Sequence, residues 1–316
     1  MTNVPRKHHY VPKVLLRGFT ASGTNEGQLH IVDLLRRTTY ASTPEGAAKE
    51  TDYNLVESEG VDPFAIEHDL LANTVEGPAA SGLDLLRRGE LPADDDRERL
   101  LSFIAMQALR APARRDLLDD FSTRTARLTL SLAFESDETL EAARRSDPEL
   151  ADLTREEAQE FIRNAVVRDN PTGHLANLLP SFGPILDQLV LRSWALLVAP
   201  DGVDFVCSDD PVVIVPIGSR PMSAPRGFGS PDSQVLMPVG RSHALLGMWP
   251  LQPGGQSWGK QHVDARTVAV WNTLVLLRAT RFVASAVNDF TWLHDRTIQN
   301  RSAFVTLMRN RPASKQ

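Results

Sequence analysis

The sequence predicts an α+β protein: a largely helical middle region packed with a mostly antiparallel sheet formed by an N-terminal hairpin and the C-terminal half. Three observations carry that prediction. Apolar residues recur at helical spacing across much of the region 63–192, the period shifts to two from Trp194, and one long apolar run, "DARTVAVWNTLVLLRAT", interrupts the late strands. No repeat and no low-complexity block divides the 316 residues, so a single domain spanning 1–316 is expected.

The elements follow in order. In "QLHIVDLLRRTTYAS", Leu29 and Ile31 alternate with polar neighbours and Thr38, Thr39 and Tyr40 add β-propensity, giving a hairpin over 28–42. From Pro63 to about Arg88, Phe64, Glu67, Leu71, Val75, Leu83 and Leu86 keep helical spacing. A second helix opens on Asp94, Asp95 and Asp96, carries Leu100, Phe103, Ile104 and Leu109 on one stripe, and should kink or break at Pro112. A further helix is expected over 123–134, and Thr154 with Glu157 forms a capping box for another that ends before Asn170, Pro171 and Gly173. "WALLVAP", "FVCS", "VVIVPI", "QVLMPVG" and "HALLGMW" read as short strands, so the sheet with its late helix spans 194–285. "GSRPMSAPRGFGSPDS", residues 218–233, is too rich in glycine, proline and serine to build a core and is expected to be a loop, with the composition of a lid.

Composition excludes several classes. The single cysteine, Cys207, rules out an internal disulfide, and no apolar run is long enough to span a bilayer, so a cytoplasmic protein without membrane association is expected. The net charge of -6 disfavours binding to extended duplex nucleic acid. There is no Gly-rich phosphate loop, GxSxG elbow, CxxC pair or dinucleotide fingerprint.

Candidate chemistry concentrates in two places. "RKHHYVPKVLLRGF" gathers His8, His9, Tyr10, Lys13 and Arg17 around Pro12, and Lys13 and Arg17 lie side by side on one helical turn, an arrangement that favours an anion or acid between them. Adjacent histidines diverge on a strand, which disfavours a metal site of their own. In "FVCSDDPVVIVP", Ser208 and Asp209 close a turn at a strand end, where Asp209 or Asp210 can act as base, metal ligand or orienter of a histidine. Both segments also admit a packing reading, with Tyr10, Val14, Leu15 and Phe19 as core anchors and an ordinary Asp-Pro turn. Gln107 and Arg110 share a helix face, Glu67 and Glu76 are explained by surface solvation, and Asn272 needs partners if buried, because an unpartnered buried amide costs roughly 1–3 kcal/mol.

These segments, with "QALRAP", "LMPVG" and "WNTLVLLRATRFVAS", resemble bacterial domain-of-unknown-function family 4238, marked by a His-His-Tyr-Val-Pro motif near the N-terminus. The resemblance runs through nearly the whole chain. It picks out His8, His9, Tyr10, Pro12, Leu16, Arg17, Phe19, Gln107, Arg110, Ser208, Asp209, Pro211 and Asn272; Asp210 stands where the family often has asparagine. It implies an architecture and a residue set, and no reaction.

The expected function is a hydrolase acting on a phosphorylated substrate, a nucleotide or RNA phosphodiester, of the kind used by toxin or defence nucleases. His8, His9 and Asp209 form the expected catalytic set, and Tyr10, Lys13, Arg17, Gln107, Arg110, Ser208 and Asn272 the substrate contacts. The inventory is compatible with a divalent metal but names no ligand set. An anionic small molecule or a short RNA is the expected partner, and the oligomeric state is not specified. The alternatives are a non-catalytic sensor or binding module for an anionic ligand, and a purely structural polar network.

Overall fold

The computed structural model describes residues 6–217, 227–252 and 254–310. The chain opens with β1 (Lys7–His9), the helical turn α1 (Lys13–Leu16), the strands β2 (Leu29–Asp33) and β3 (Thr38–Ser42), and the short β4 (Lys49–Thr51). A π-helical stretch, Ile66–Glu76, runs into α2 (Gly77–Arg87), followed by α3 (Asp94–Arg110), α4 (Pro112–Ala133), α5 (Asp137–Ser146), α6 (Arg155–Asn164), α7 (Pro171–Leu178) and α8 (Phe182–Val190). The second half holds β5 (Ser193–Val198), β6 (Cys207–Ser208), β7 (Val213–Pro216), β8 (Ser233–Gly240), β9 (His243–Met248), β10 (Trp258–His262), α9 (Ala265–Arg278), β11 (Phe282–Ser285), β12 (Thr291–His294), β13 (Thr297–Asn300) and α10 (Arg301–Asn310). This is an α+β fold with mostly antiparallel sheets.

Local chemistry explains the element ends. The acidic triplet at the start of α3 faces the positive end of the helix, and Pro112 separates α3 from α4 by taking the first position of the new helix, where no amide donor is needed. The helix expected over 123–134 is the continuation of α4. Thr154 and Glu157 make the reciprocal capping box at the head of α6.

The N-terminal hairpin does join the C-terminal half, since β2 pairs antiparallel with β11, Asp33 opposite Phe282. The late strands nevertheless divide between two sheets, β3-β2-β11-β6 and β10-β5-β9-β8-β7, where periodicity alone suggested one. Strand pairing is long-range, and alternation in a sequence does not say which edge a strand will find. The β1–β4 ladder, β10, the β12–β13 hairpin and α10 were not foreseen, their strands being short or polar.

One apolar cluster links these layers, from Tyr10, Leu15 and Phe19 through Leu83, Leu86, Leu100 and Phe103 to Leu245, Val268 and Val283. Of the loop expected over 218–233, positions 218–226 lie outside the described residues. The remainder is pinned: buried Arg192 donates to the carbonyls of Phe228 at 2.6 Å and Ser233 at 2.8 Å, with its guanidinium over the Trp249 ring. It is a packed turn at the start of β8.

Candidate functional site

The opening motif folds as an edge ladder. β1 pairs antiparallel with β4, His8 opposite Glu50 and His9 opposite Lys49, and the ladder extends through Asp52 N–H to the Arg6 carbonyl at 2.7 Å and Tyr10 N–H to the Ala48 carbonyl at 2.9 Å. His8, His9 and Tyr10 are all buried. His8 Nδ1 accepts the Asn54 amide at 2.9 Å, which commits that lone pair to the backbone. Burial pushes the His9 imidazole below its ordinary pKa and raises that of the Tyr10 phenol, so both are held uncharged near neutrality.

Arg110 ties this strand to α3. Its Nε donates to the Tyr10 carbonyl at 3.1 Å, its Nη2 to the His9 carbonyl, and its Nη1 to Glu76 at 2.6 Å. Glu67 accepts from Asn54 Nδ2 at 2.7 Å. Surface solvation therefore does not explain Glu67 and Glu76: each partners the motif's own network. Lys13 and Arg17 also find carboxylates within the protein, Lys13 on Glu45 at 2.7 Å and Arg17 on Asp84 at 2.6 Å. The charge crowding legible in the sequence is relieved internally.

The Ser208–Pro211 turn is equally committed. The buried Asp209 carboxylate accepts from Thr280 N, Thr280 Oγ1, Arg281 N and Phe282 N at 2.6–3.2 Å, capping the start of β11. The Tyr10 ring lies 6.1 Å from that of Phe282, whose amide donates to Asp209, so the two segments do approach one another. The hydrogen bonds that Asp209 makes go to residues 280–282 and to neither imidazole, so the expected His–Asp pairing is not formed. Asp210 accepts from Arg278 at 3.0 Å, and burial raises its pKa. Ser208 Oγ donates to the Asp210 carbonyl. Cys207 is fully buried and its thiol is pushed up to about 12, which makes it a core residue. Asn272 satisfies backbone: Oδ1 accepts from Val206 N at 3.0 Å, and Nδ2 donates to the carbonyls of Asp204 and Thr291 at 2.9 Å. Gln107 is buried with neither amide atom hydrogen-bonded among the described residues.

A concave polar site lies beside this framework. A cleft of about 580 Å³ is lined by Glu50 to Tyr53, by Arg115, Asp116, Asp119, Asp120 and Thr123 of α4, by Val166 to Asp169, by Pro171 and His174, and by Arg281. Spacings of three and four put Asp116, Asp119, Asp120 and Thr123 on one face of α4. The connector after α6 is stitched to that face: Thr123 Oγ1 accepts from Val167 N at 2.9 Å and donates to the Val167 carbonyl at 3.1 Å, while Asp119 Oδ1 accepts from Asp169 N at 3.0 Å. Asn170 caps α7 and so fixes His174, whose Nε2 sits 3.4 Å from Asp119 Oδ1.

The cleft wall rests on the opening motif. Arg115 stacks over the Tyr53 ring with 3.5 Å between guanidinium carbon and ring centroid, and it donates to Asn54 Oδ1 at 3.1 Å, the same Asn54 whose amide binds His8. Arg281 pairs with Glu50 and lies over Tyr10. Burial raises the pKa of Asp116, opposed by the charge of Arg281, and lowers that of His174, opposed by Asp119. Sequence reasoning missed Asp116, Asp119, Asp169 and His174. "RRDLLDDF" reads as a solvated helix face and "RDNPTGH" as a turn, and nothing in the spacing joins two segments about fifty residues apart.

The architecture and this pair of features, a buried polar ladder at the N-terminus backing an acidic cleft, define an α+β protein with a concave polar site beside α4 and α7. The chain belongs to the family described as "Protein of unknown function (DUF4238)", whose model matches residues 7–289. Comparison with curated proteins and with solved structures finds no match.

Proposed function

We propose that the protein is a hydrolase of phosphorylated substrates, nucleotides or short RNA phosphodiesters, working in the cleft between α4, α7 and β4. The carrying observation is that one concavity of about 580 Å³ joins cations suited to phosphoryl oxygens, Arg281 and Arg168, to a partly buried carboxyl of raised pKa, Asp116, and to the Asp119–Asp169–His174 corner. Arg168 makes no ion pair among the described residues. Arginines at this position stabilise charge on a transferring phosphoryl group. The acidic corner orients the attacking water, whose oxygen bonds to phosphorus as the bond to the leaving oxygen breaks. Asp116 protonates that leaving oxygen and recovers its proton from the water. The reaction class is the one the sequence suggested; we place it at α4 and α7 rather than at His8, His9 and Asp209, since His8 Nδ1 and the Asp209 carboxylate are already bound to backbone amides.

A panel of phosphomonoesters, nucleotides and short RNAs tests the reading. Asp116→Asn should cut turnover about 100-fold with the melting temperature nearly unchanged, the scale of general acid–base catalysis. His9→Gln lies outside the cleft and should keep kcat. The reverse pattern returns the site to the opening motif. Saturable binding of a panel member without turnover in the wild type replaces the hydrolase with the sensor.

A further inference from the structure

The proposed chemistry meets an electrostatic obstacle in its own cleft. Of the carboxylates lining the cleft, Asp52 is paired with Arg6 and Glu50 with Arg281, which leaves Asp116, Asp119, Asp120 and Asp169 facing Arg168 and an Arg115 already bound to Tyr53 and Asn54. A phosphoryl group carries negative charge, so this surface repels it unless a further cation intervenes.

We infer that Asp119, Asp169 and His174 hold a divalent cation, and this deepens the hydrolase reading on which it rests. One ligand atom from each residue falls within 4.8 Å of the others. Ligands at about 2.0–2.2 Å from a shared ion stand roughly 3–4 Å apart, so small side-chain rotations close the set. His174 supplies an independent observation. It is 6% exposed, its buried Nδ1 has no hydrogen-bond partner among the described residues, and its Nε2 faces Asp119 Oδ1 at 3.4 Å, so one nitrogen of a buried imidazole is left unsatisfied there. Buried polar groups in that condition need an explanation, and a bound ion is one.

The carboxylates are already oriented from behind. Asp119 Oδ1 accepts the Asp169 amide at 3.0 Å and Asp169 Oδ2 accepts from Asn177 Nδ2 at 3.0 Å, which leaves the second oxygen of each for a ligand. Such supporting bonds fix ligand geometry in metal sites. Two carboxylates and one imidazole, with the remaining positions open to water and a phosphoryl oxygen, suit Mn²⁺ better than an all-oxygen ion such as Ca²⁺. The ion supplies the missing positive charge and lowers the pKa of its bound water.

The test is Mn²⁺ binding to the full chain without substrate, followed by electron paramagnetic resonance and titration calorimetry. One Mn²⁺ per chain is expected, weakened at least tenfold by Asp169→Asn and by His174→Gln, with Asp187→Asn on α8 as a control that binds like the wild type. Both variants are checked by circular dichroism, and Asp119→Asn, which keeps an acceptor for the Asp169 amide, serves if one misfolds. Wild-type affinity in the folded variants overturns the site, as does the absence of binding at millimolar Mn²⁺. Turnover undiminished by a chelator also overturns it while leaving the hydrolase reading standing. Mn²⁺ bound through these residues with no turnover of any panel member supports the site and removes the hydrolase.

Discussion

Asp209→Ala separates a framework carboxylate from a catalytic one. The native side chain is fully buried and receives three backbone amides, from Thr280, Arg281 and Phe282, together with the Thr280 hydroxyl. Deleting it strands those donors. Thr280 is exposed, so its amide and hydroxyl can turn to water, whereas Phe282 is buried and Arg281 half-buried. An unsatisfied buried donor costs about 1–3 kcal/mol, so two of them, with the loss of charge-assisted bonds, should total about 3–5 kcal/mol. Against a typical stability of about 5–15 kcal/mol, that is a large fraction. Asp209→Asn retains one acceptor oxygen and should lose about half as much. Equilibrium urea unfolding reads this directly, as a lowered midpoint with an unchanged slope. A loss below about 1 kcal/mol for Asp209→Ala would refute the assignment, and reduced turnover in such a stable variant would restore Asp209 to the chemistry.

Two further substitutions probe the same network. Asn272→Leu keeps the volume but orphans Val206 N–H and the carbonyls of Asp204 and Thr291, so thermal unfolding should show a loss of about 2–4 kcal/mol; a change under about 0.5 kcal/mol would mean that those groups find other partners. His9 gives a pH test. Its folded pKa lies below the ordinary 6.5, so the unfolded chain binds the proton first, and the contribution is present above pH 6.5 and lost as pH falls through the folded value. His9→Gln should therefore lose less stability than the wild type between pH 7 and pH 5. Equal acid limbs in urea midpoints would contradict the burial argument.

Periodicity revealed the helical middle, the hairpin, the capping box at Thr154 and the break at Pro112, because each depends on residues within one turn or one strand. It missed the partition of the late strands between two sheets, which is a matter of long-range pairing. Around the opening motif, the sequence showed which residues need polar partners but not which partners they find. Side-by-side Lys13 and Arg17 do imply acids, but the acids are Glu45 and Asp84, and no local pattern names a partner sixty-seven residues away. Glu76 looked solvated on its helix because its guanidinium partner, Arg110, belongs to another one. Asp119 and His174 stayed hidden for the same reason: the connector between α6 and α7 brings them together, and its hydrogen bonds to α4 are invisible in either segment alone.

The opening motif and the cleft are joined by one short chain of contacts. His8 receives the Asn54 amide, Asn54 receives Arg115, and Arg115 covers the face of Tyr53 beside Glu50 and Asp52 on the cleft wall. A three-residue ladder extended by one hydrogen bond at each end could not hold that wall alone, since a short edge ladder is marginal in water. Arg110 supplies what the ladder lacks by anchoring the carbonyls of His9 and Tyr10 to the end of α3, two residues before Pro112 starts α4. The helix that carries Asp116 and Asp119 and the strand that carries Glu50 are thus referenced to the same guanidinium. Polar residues suit this task better than apolar ones, because hydrogen bonds fix direction as well as distance, and a cleft whose carboxylates must converge depends on direction. The histidines and tyrosine of the motif therefore hold the wall of the cleft in register.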